Sequence, residues 1–199
     1  MHHFHSEIYP EENTQFIERK SGTFRRLIVD LLETVVLSLI LFLGINTISA
    51  RIRIESISMQ PTLHAGDYVI VNKLAYKLDA PDRGDVIIFH YPPDPKREPY
   101  IKRIIGLPGD TVTVANGQVL INGTPIYEPY ISSPPAYQGK WLIPEGALFV
   151  LGDNRNSSSD SHSWGMVPIS FVIGKAEVVY WPPSEWKMLG ESTAVAAEP

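Results

Sequence analysis

Thr111-Val112-Thr113-Val114-Ala115-Asn116-Gly117-Gln118-Val119-Leu120-Ile121 reads as a β-hairpin. β-Branched and apolar residues alternate with polar ones on either side of Asn116-Gly117, and these two residues accept the φ > 0 that a two-residue hairpin turn requires at both central positions. Outward from the hairpin, β-rich runs separated by turn chemistry recur at Tyr68–Asn72, Asp85–His90, Tyr100–Ile105, Ala147–Leu151 and Glu177–Tyr180. This spacing predicts a mostly β domain over residues 51–189. Pro92–Pro99 and Pro129–Gly139 are rich in proline, which supplies no ladder donor, so both are expected to be surface loops between strands. The tail at 190–199 is small and polar, and is expected to be disordered.

Before this domain, residues 27–50 run LIVDLLETVVLSLILFLGINTISA. As a helix this segment spans roughly 36 Å, enough to cross a bilayer. Asp30 and Glu33 lie near its start, where carboxylates stay in the headgroup zone and meet the positive end of the helix dipole. Arg19, Lys20, Arg25 and Arg26 precede it and Arg51 and Arg53 follow, so the positive-inside rule puts the leader (residues 1–26) in the cytoplasm and the β domain outside. Two other readings compete. A cleaved signal peptide ending at Ile48-Ser49-Ala50 would have a shorter apolar core and leader, and a buried helix of a soluble protein would not be apolar nearly all round over Val35–Gly44.

Composition narrows the function classes. The 199 residues carry a formal net charge of −5, with no basic run that could neutralise phosphates, which argues against a nucleic-acid partner. There is no cysteine, so disulfides and thiolate metal sites are excluded while the compartment stays open. His2, His3 and His5 sit in an acidic leader without metal-ligand spacing and read as exposed tail; neither a metal nor a cofactor is expected.

Three stretches carry candidate chemistry: Glu55-Ser56-Ile57-Ser58-Met59-Gln60-Pro61-Thr62-Leu63, Tyr100-Ile101-Lys102-Arg103-Ile104-Ile105-Gly106-Leu107-Pro108-Gly109-Asp110, and Gly152-Asp153-Asn154-Arg155-Asn156-Ser157-Ser158-Ser159-Asp160-Ser161-His162-Ser163-Trp164-Gly165. Each taken alone is an ordinary turn, strand edge or loop. Their order and spacing behind a membrane span, together with Gly66-Asp67-Tyr68-Val69-Ile70-Val71-Asn72-Lys73, resemble the type I signal peptidases over nearly the whole chain.

The resemblance implies a signal-peptidase-type catalytic domain that removes signal peptides from exported preproteins at Ala-x-Ala sites beside the lipid bilayer. It implies Ser58 as nucleophile, Lys102 as general base, Ser56 with the Ser58 backbone N–H as oxyanion hole, and Ser158 as a hydrogen-bond partner orienting the lysine. Asp153, Arg155, Asp160 and His162 would support the site. The chemistry makes sense of these residue types, because a serine hydroxyl needs a base and a lysine serves as one only when neutral. An amine near pKa 10.4 is neutral about once in 2500 molecules at pH 7, so this lysine must be desolvated. Strand alternation puts Lys102 on one face with Tyr100 and Ile104, and Arg103 on the other.

One position departs from the commoner pattern: Asp160-Ser161-His162 stands where many members have Asp-Ser-Arg. This variant resembles the cyanobacterial and thylakoid-processing branch, and it replaces a fixed charge by an imidazole, a group that titrates near neutrality. The reach of an extended linker keeps Ser58 within roughly 26–29 Å of Ala50, at the depth where a signal peptide leaves the membrane. Two rival functions compete with this reading. A self-cleaving repressor of the SOS type would need a DNA-binding helix-turn-helix, which the N-terminal segment does not offer. A membrane-anchored β domain that binds peptides without cutting them would lack Ser58 or Lys102. The resemblance implies a single-pass protein of the bacterial plasma membrane, with the thylakoid membrane as the alternative.

Overall fold

The computed structural model describes residues 14–189, with side chains described from 23 to 189. The leader histidines and the tail from Gly190 lie outside the described residues. The chain forms two compact units, one ending at Asn46 and the other starting at Thr47.

The first unit is carried by helix α1, Thr14–Ile48. Its stretch Thr23–Ile48 has a mean hydropathy of 2.4 and its apolar side chains are exposed all round, as expected of a helix whose solvent is lipid. Helix gives way to strand at Ser49, inside the apolar run read from the sequence, because Ser49–Arg53 pairs with Tyr68–Asn72 within the second unit.

The second unit is built from antiparallel strands β1 (Ser49–Arg53), β2 (Tyr68–Asn72), β3 (Val86–Phe89), β4 (Tyr100–Gly106), β5 (Thr111–Ala115), β6 (Gln118–Ile121), β7 (Thr124–Pro125), β8 (Gly139–Leu142), β9 (Ala147–Leu151), β10 (Val167–Pro168), β11 (Val172–Trp181) and β12 (Lys187–Met188), with short helices α2 (Ala75–Leu78) and α3 (Ser161–Trp164). The larger sheet has the order β1-β2-β11-β3-β4-β9-β10, with β12 added beside β11; the smaller has the order β7-β6-β5-β8. The expected hairpin is β5–β6, with Asn116 at φ 51° and Gly117 at φ 76° and Ala115 opposite Gln118.

Burial explains the strand types. β3 and β9 are buried on both faces and read as continuous apolar runs, β4 is buried on both faces but carries Lys102 and Arg103 at its centre, and β2 and β5 alternate buried with half-buried residues. Ile105, Phe149 and Leu151 of the larger sheet pack with Val112, Val114, Val119 and Ile121 of the smaller one, so one core joins the two sheets. Gly106 permits that approach: a Cβ there would lie 2.6 Å from a methyl of Val112. The segment at 92–99 is an exposed loop as expected, but the segment at 129–139 is not simply a surface loop, because Tyr130 and Pro135 are buried and Gly139 already begins β8.

Candidate active site

Ser58 sits in the turn that follows β1. Leu63 N–H donates to the Met59 carbonyl at 2.8 Å, and Met59 and Leu63 are fully buried in the core, so the turn is anchored by its own apolar residues. The turn is then tied to the loop after β9: Asn154 N–H donates to the Ser58 carbonyl at 3.0 Å and the Asn154 side-chain amide to the Ile57 carbonyl at 3.2 Å. Gly152 makes this contact possible, since a Cβ on it would lie 2.4 Å from the Ser58 carbonyl oxygen and 2.2 Å from Ser158 Oγ. Neither neighbour can yield, because one is backbone and the other a short buried side chain. Glycine is the residue that lets the loop lie on the serine turn.

From the centre of the sheet, β4 delivers Lys102, which is 3% exposed against 7% for Ser58. Lys102 Nζ donates to Ser58 Oγ at 2.8 Å and to the Ile101 carbonyl at 2.8 Å, and lies 5.3 Å from the centre of the Tyr100 ring. Burial lowers the pKa of this amine to about 8, against the charges of Asp160 and Asp153, which favour the ammonium. About a tenth of the lysine is therefore neutral at pH 7, a gain of two orders of magnitude over a free side chain. Ser56 Oγ is 3.2 Å from Ser58 Oγ, and among the described residues the Ser58 N–H has no acceptor.

The remaining expected residues surround this pair. Arg103, next to Lys102 on the other face of β4, makes a two-pronged, fully buried ion pair with Asp153 at 2.8 and 2.7 Å and also donates to the Gly84 carbonyl. Hydrogen bonding to Asp153 and its charge hold the guanidinium's pKa above the usual arginine range even though burial opposes this. Asp160 accepts from Gly152 N–H at 2.9 Å, caps α3 through His162 N–H and lies 2.6 Å from His162 Nδ1. The His162 ring stacks on Tyr137 with 4.0 Å between centroids. The imidazole thus lies between the Asp160 carboxylate and the Tyr137 ring. Arg155 is buried and paired in a fork with Glu128, a partner that the sequence reading did not assign.

Ser158 differs from the expectation. Its hydroxyl is buried and has no hydrogen-bond partner, and it makes no bond to Lys102. The amine is turned to Ser58, and its second hydrogen bond goes to the Ile101 carbonyl.

Ser58 and Lys102 open on a groove of about 880 Å³ whose walls are the segments 51–58 and 98–102 and whose lining includes Ile54, Ile88 and Ile101. The profile of the signal peptidase family, peptidase S26, matches residues 28–181. The chain belongs to this family. It is 49% identical to a signal peptidase I of Leptolyngbya laminosa, over 80% of this chain and 82% of that protein. It is 45% identical to a probable signal peptidase I-2 of Synechocystis, over 77% and 73% of the two chains. A probable thylakoidal processing peptidase 2 of Arabidopsis thaliana is 44% identical over 66% of this chain and 38% of its own length. These relatives put this S26 member in the cyanobacterial and thylakoid branch, in agreement with its Asp-Ser-His sequence.

Proposed function

We propose that this signal peptidase cleaves exported preproteins with Ser58 as nucleophile and Lys102 as general base. The observation that carries the reading is the 2.8 Å contact between two buried side chains, Lys102 Nζ and Ser58 Oγ. Once the amine is neutral the direction of that bond reverses: Ser58 O–H donates to the nitrogen lone pair, while an amine N–H stays on the Ile101 carbonyl and holds the lone pair in line. Ser58 Oγ attacks the scissile carbonyl carbon as its proton passes to Nζ. The developing oxyanion is met by Ser58 N–H and Ser56 O–H. Collapse transfers the proton from Nζ to the leaving amine of the mature protein, and leaves the signal peptide as an ester on Ser58. Water, deprotonated in turn by Lys102, hydrolyses the ester.

The test is to incubate the detergent-solubilised enzyme with a preprotein and sequence the new N-terminus across a pH series. Cleavage after Ala-x-Ala is expected, with kcat/KM rising with pH, half-maximal near pH 8 and level about one unit above it, because only the neutral fraction of Lys102 is active. A rising limb near the pH of a free lysine would contradict the desolvated base.

Ser56→Ala should lower kcat by about two orders of magnitude, about 3 kcal/mol, and barely alter KM, since its hydroxyl meets charge that exists only in the transition state. An effect confined to KM would remove Ser56 from the oxyanion hole.

We further read α1 as an uncleaved anchor with the β domain outside, on the arginine and lysine asymmetry around it. External protease added to sealed, right-side-out vesicles should digest the β domain and spare the leader. Protection of the β domain would reverse this orientation.

A further inference from the structure

The segment 127–137, between β7 and β8, bears on the loop that carries Asp153 and Asp160 through several independent contacts. Glu128 receives both prongs of Arg155, whose Nε donates to the Gly152 carbonyl at 3.1 Å. Tyr130, 6% exposed, donates its hydroxyl to Glu128 at 2.9 Å and lays its ring over Arg103 at 4.0 Å, with Arg155 at 5.9 Å. Asn156 reaches back to the segment, accepting from Ala136 N–H at 2.8 Å and donating to the Pro134 carbonyl at 3.0 Å. Tyr137 covers His162.

These contacts converge on the two pieces of backbone that the reaction must keep together. Arg103 follows Lys102 in β4; Gly152 lies against the Ser58 carbonyl. Tyr130 touches the first through the Arg103 guanidinium and the second through Glu128 and Arg155. A desolvated guanidinium over an aromatic face is held far more firmly than an exposed one, so the ring fixes Arg103 where it can also grip Asp153.

We propose that segment 127–137 is a clasp that sets the register of Ser58 and Lys102, and that Tyr130 is its main positioning residue. Tyr130 touches no substrate and acts through Arg103, Glu128 and Arg155. The proposal rests on the Ser58–Lys102 reading of the reaction. Without the ring, Arg103 can withdraw from Asp153 and water can reach the β4 face. The groups around the amine are Asp153 and Asp160 from the loop, Ser58 from its turn and the Tyr100 ring, with Glu55 and Glu98 lining the same groove. Weaker neutralisation of Asp153 and better hydration both favour the ammonium, so the active fraction at neutral pH falls.

The experiment compares the full-length wild-type enzyme, Tyr130→Ala, Tyr130→Phe and Glu128→Gln in detergent, on an internally quenched peptide with an Ala-x-Ala site. In Tyr130→Ala, kcat should fall about tenfold or more at pH 7 with KM little changed, and the rising limb should move to higher pH so that part of the loss is recovered in alkali. Tyr130→Phe keeps the ring and should restore most of the rate and the wild-type limb. Glu128→Gln, which keeps the shape of the contact but loosens the hold on Arg155, should lower kcat in smaller measure and decides the matter if Tyr130→Ala does not fold. Wild-type kcat and limb in folded Tyr130→Ala, or wild-type kcat in Glu128→Gln where the former is unfolded, would overturn the clasp. A wild-type enzyme unable to cleave the peptide would instead overturn the reading on which it rests.

Discussion

Lys102→Met and Ser58→Ala are each expected to lower kcat/KM by about four orders of magnitude or more, and Lys102→Arg to fail equally, because a guanidinium stays protonated and cannot accept the serine proton. Near-normal turnover by Lys102→Arg would sink the lysine-base mechanism. The same group gives a second observable that does not depend on activity. Burial lowers the Lys102 pKa from 10.5 to about 8, so the folded state disfavours a proton that the unfolded chain binds readily. Between those two values the unfolded chain carries more protons, and stability rises with pH; below about 8 the full penalty stands, of order 3 kcal/mol. Methionine has a similar length and no charge, and loses two hydrogen bonds, to Ser58 and to the Ile101 carbonyl, each worth about 1 kcal/mol, which together stay below that penalty. Lys102→Met should therefore be the more stable protein at pH 7 in a denaturant titration, with an advantage that shrinks as the pH approaches 10.5. An active site that is stabilised by removing its base is one whose base is held there against folding free energy.

What the sequence disclosed follows from how local each determinant is. The β5–β6 hairpin is legible because its turn conformation is imposed by two adjacent residues, Asn116 and Gly117. Lys102 and Arg103 could be assigned to opposite faces of β4 from alternation alone, and the chain uses them so: one meets Ser58, the other Asp153. β1 was not legible, since Ser49-Ala50 reads as the end of the anchor and Arg51-Ile52-Arg53 as a linker, and the five become a strand only because Tyr68–Asn72 lies beside them. Only the end of β11 could be read, because Gly174 and Lys175 interrupt its apolar run. Gly174 is needed there, as a Cβ would lie 2.4 Å from the Asn72 carbonyl oxygen. The pairing of Arg155 with Glu128 joins residues 27 apart and has no local signature. The family pattern points to Ser58 and Lys102 as the candidate pair, while the partner that fixes the loop shows only in three dimensions.

The ion pair between Arg103 and Asp153 should respond asymmetrically to mutation. Both side chains are fully buried, and each is satisfied chiefly by the other. Asp153→Ala leaves a guanidinium with no counter-charge in the interior, where hydration cannot compensate; the Gly84 carbonyl, the Thr62 hydroxyl and the Tyr130 ring remain as its partners, and none carries a formal charge. The expected loss is about 3–5 kcal/mol of stability, enough to unfold a domain of ordinary stability at moderate temperature. Arg103→Met combined with Asp153→Leu removes both charges and keeps apolar volume in their place. The lost attraction is then offset by the desolvation that no longer has to be met, so the double variant should be markedly more stable than Asp153→Ala and should fold. It should nevertheless cleave poorly, because the loop has lost its tie to β4 and Thr62 has lost the carboxylate to which its hydroxyl donates, in the turn that holds Ser58. Denaturant midpoints of the wild type, the single and the double variants form the test. A double variant as unstable as Asp153→Ala would mean that the pair contributes attraction well beyond its desolvation cost, and that the buried charges hold the fold as well as the site.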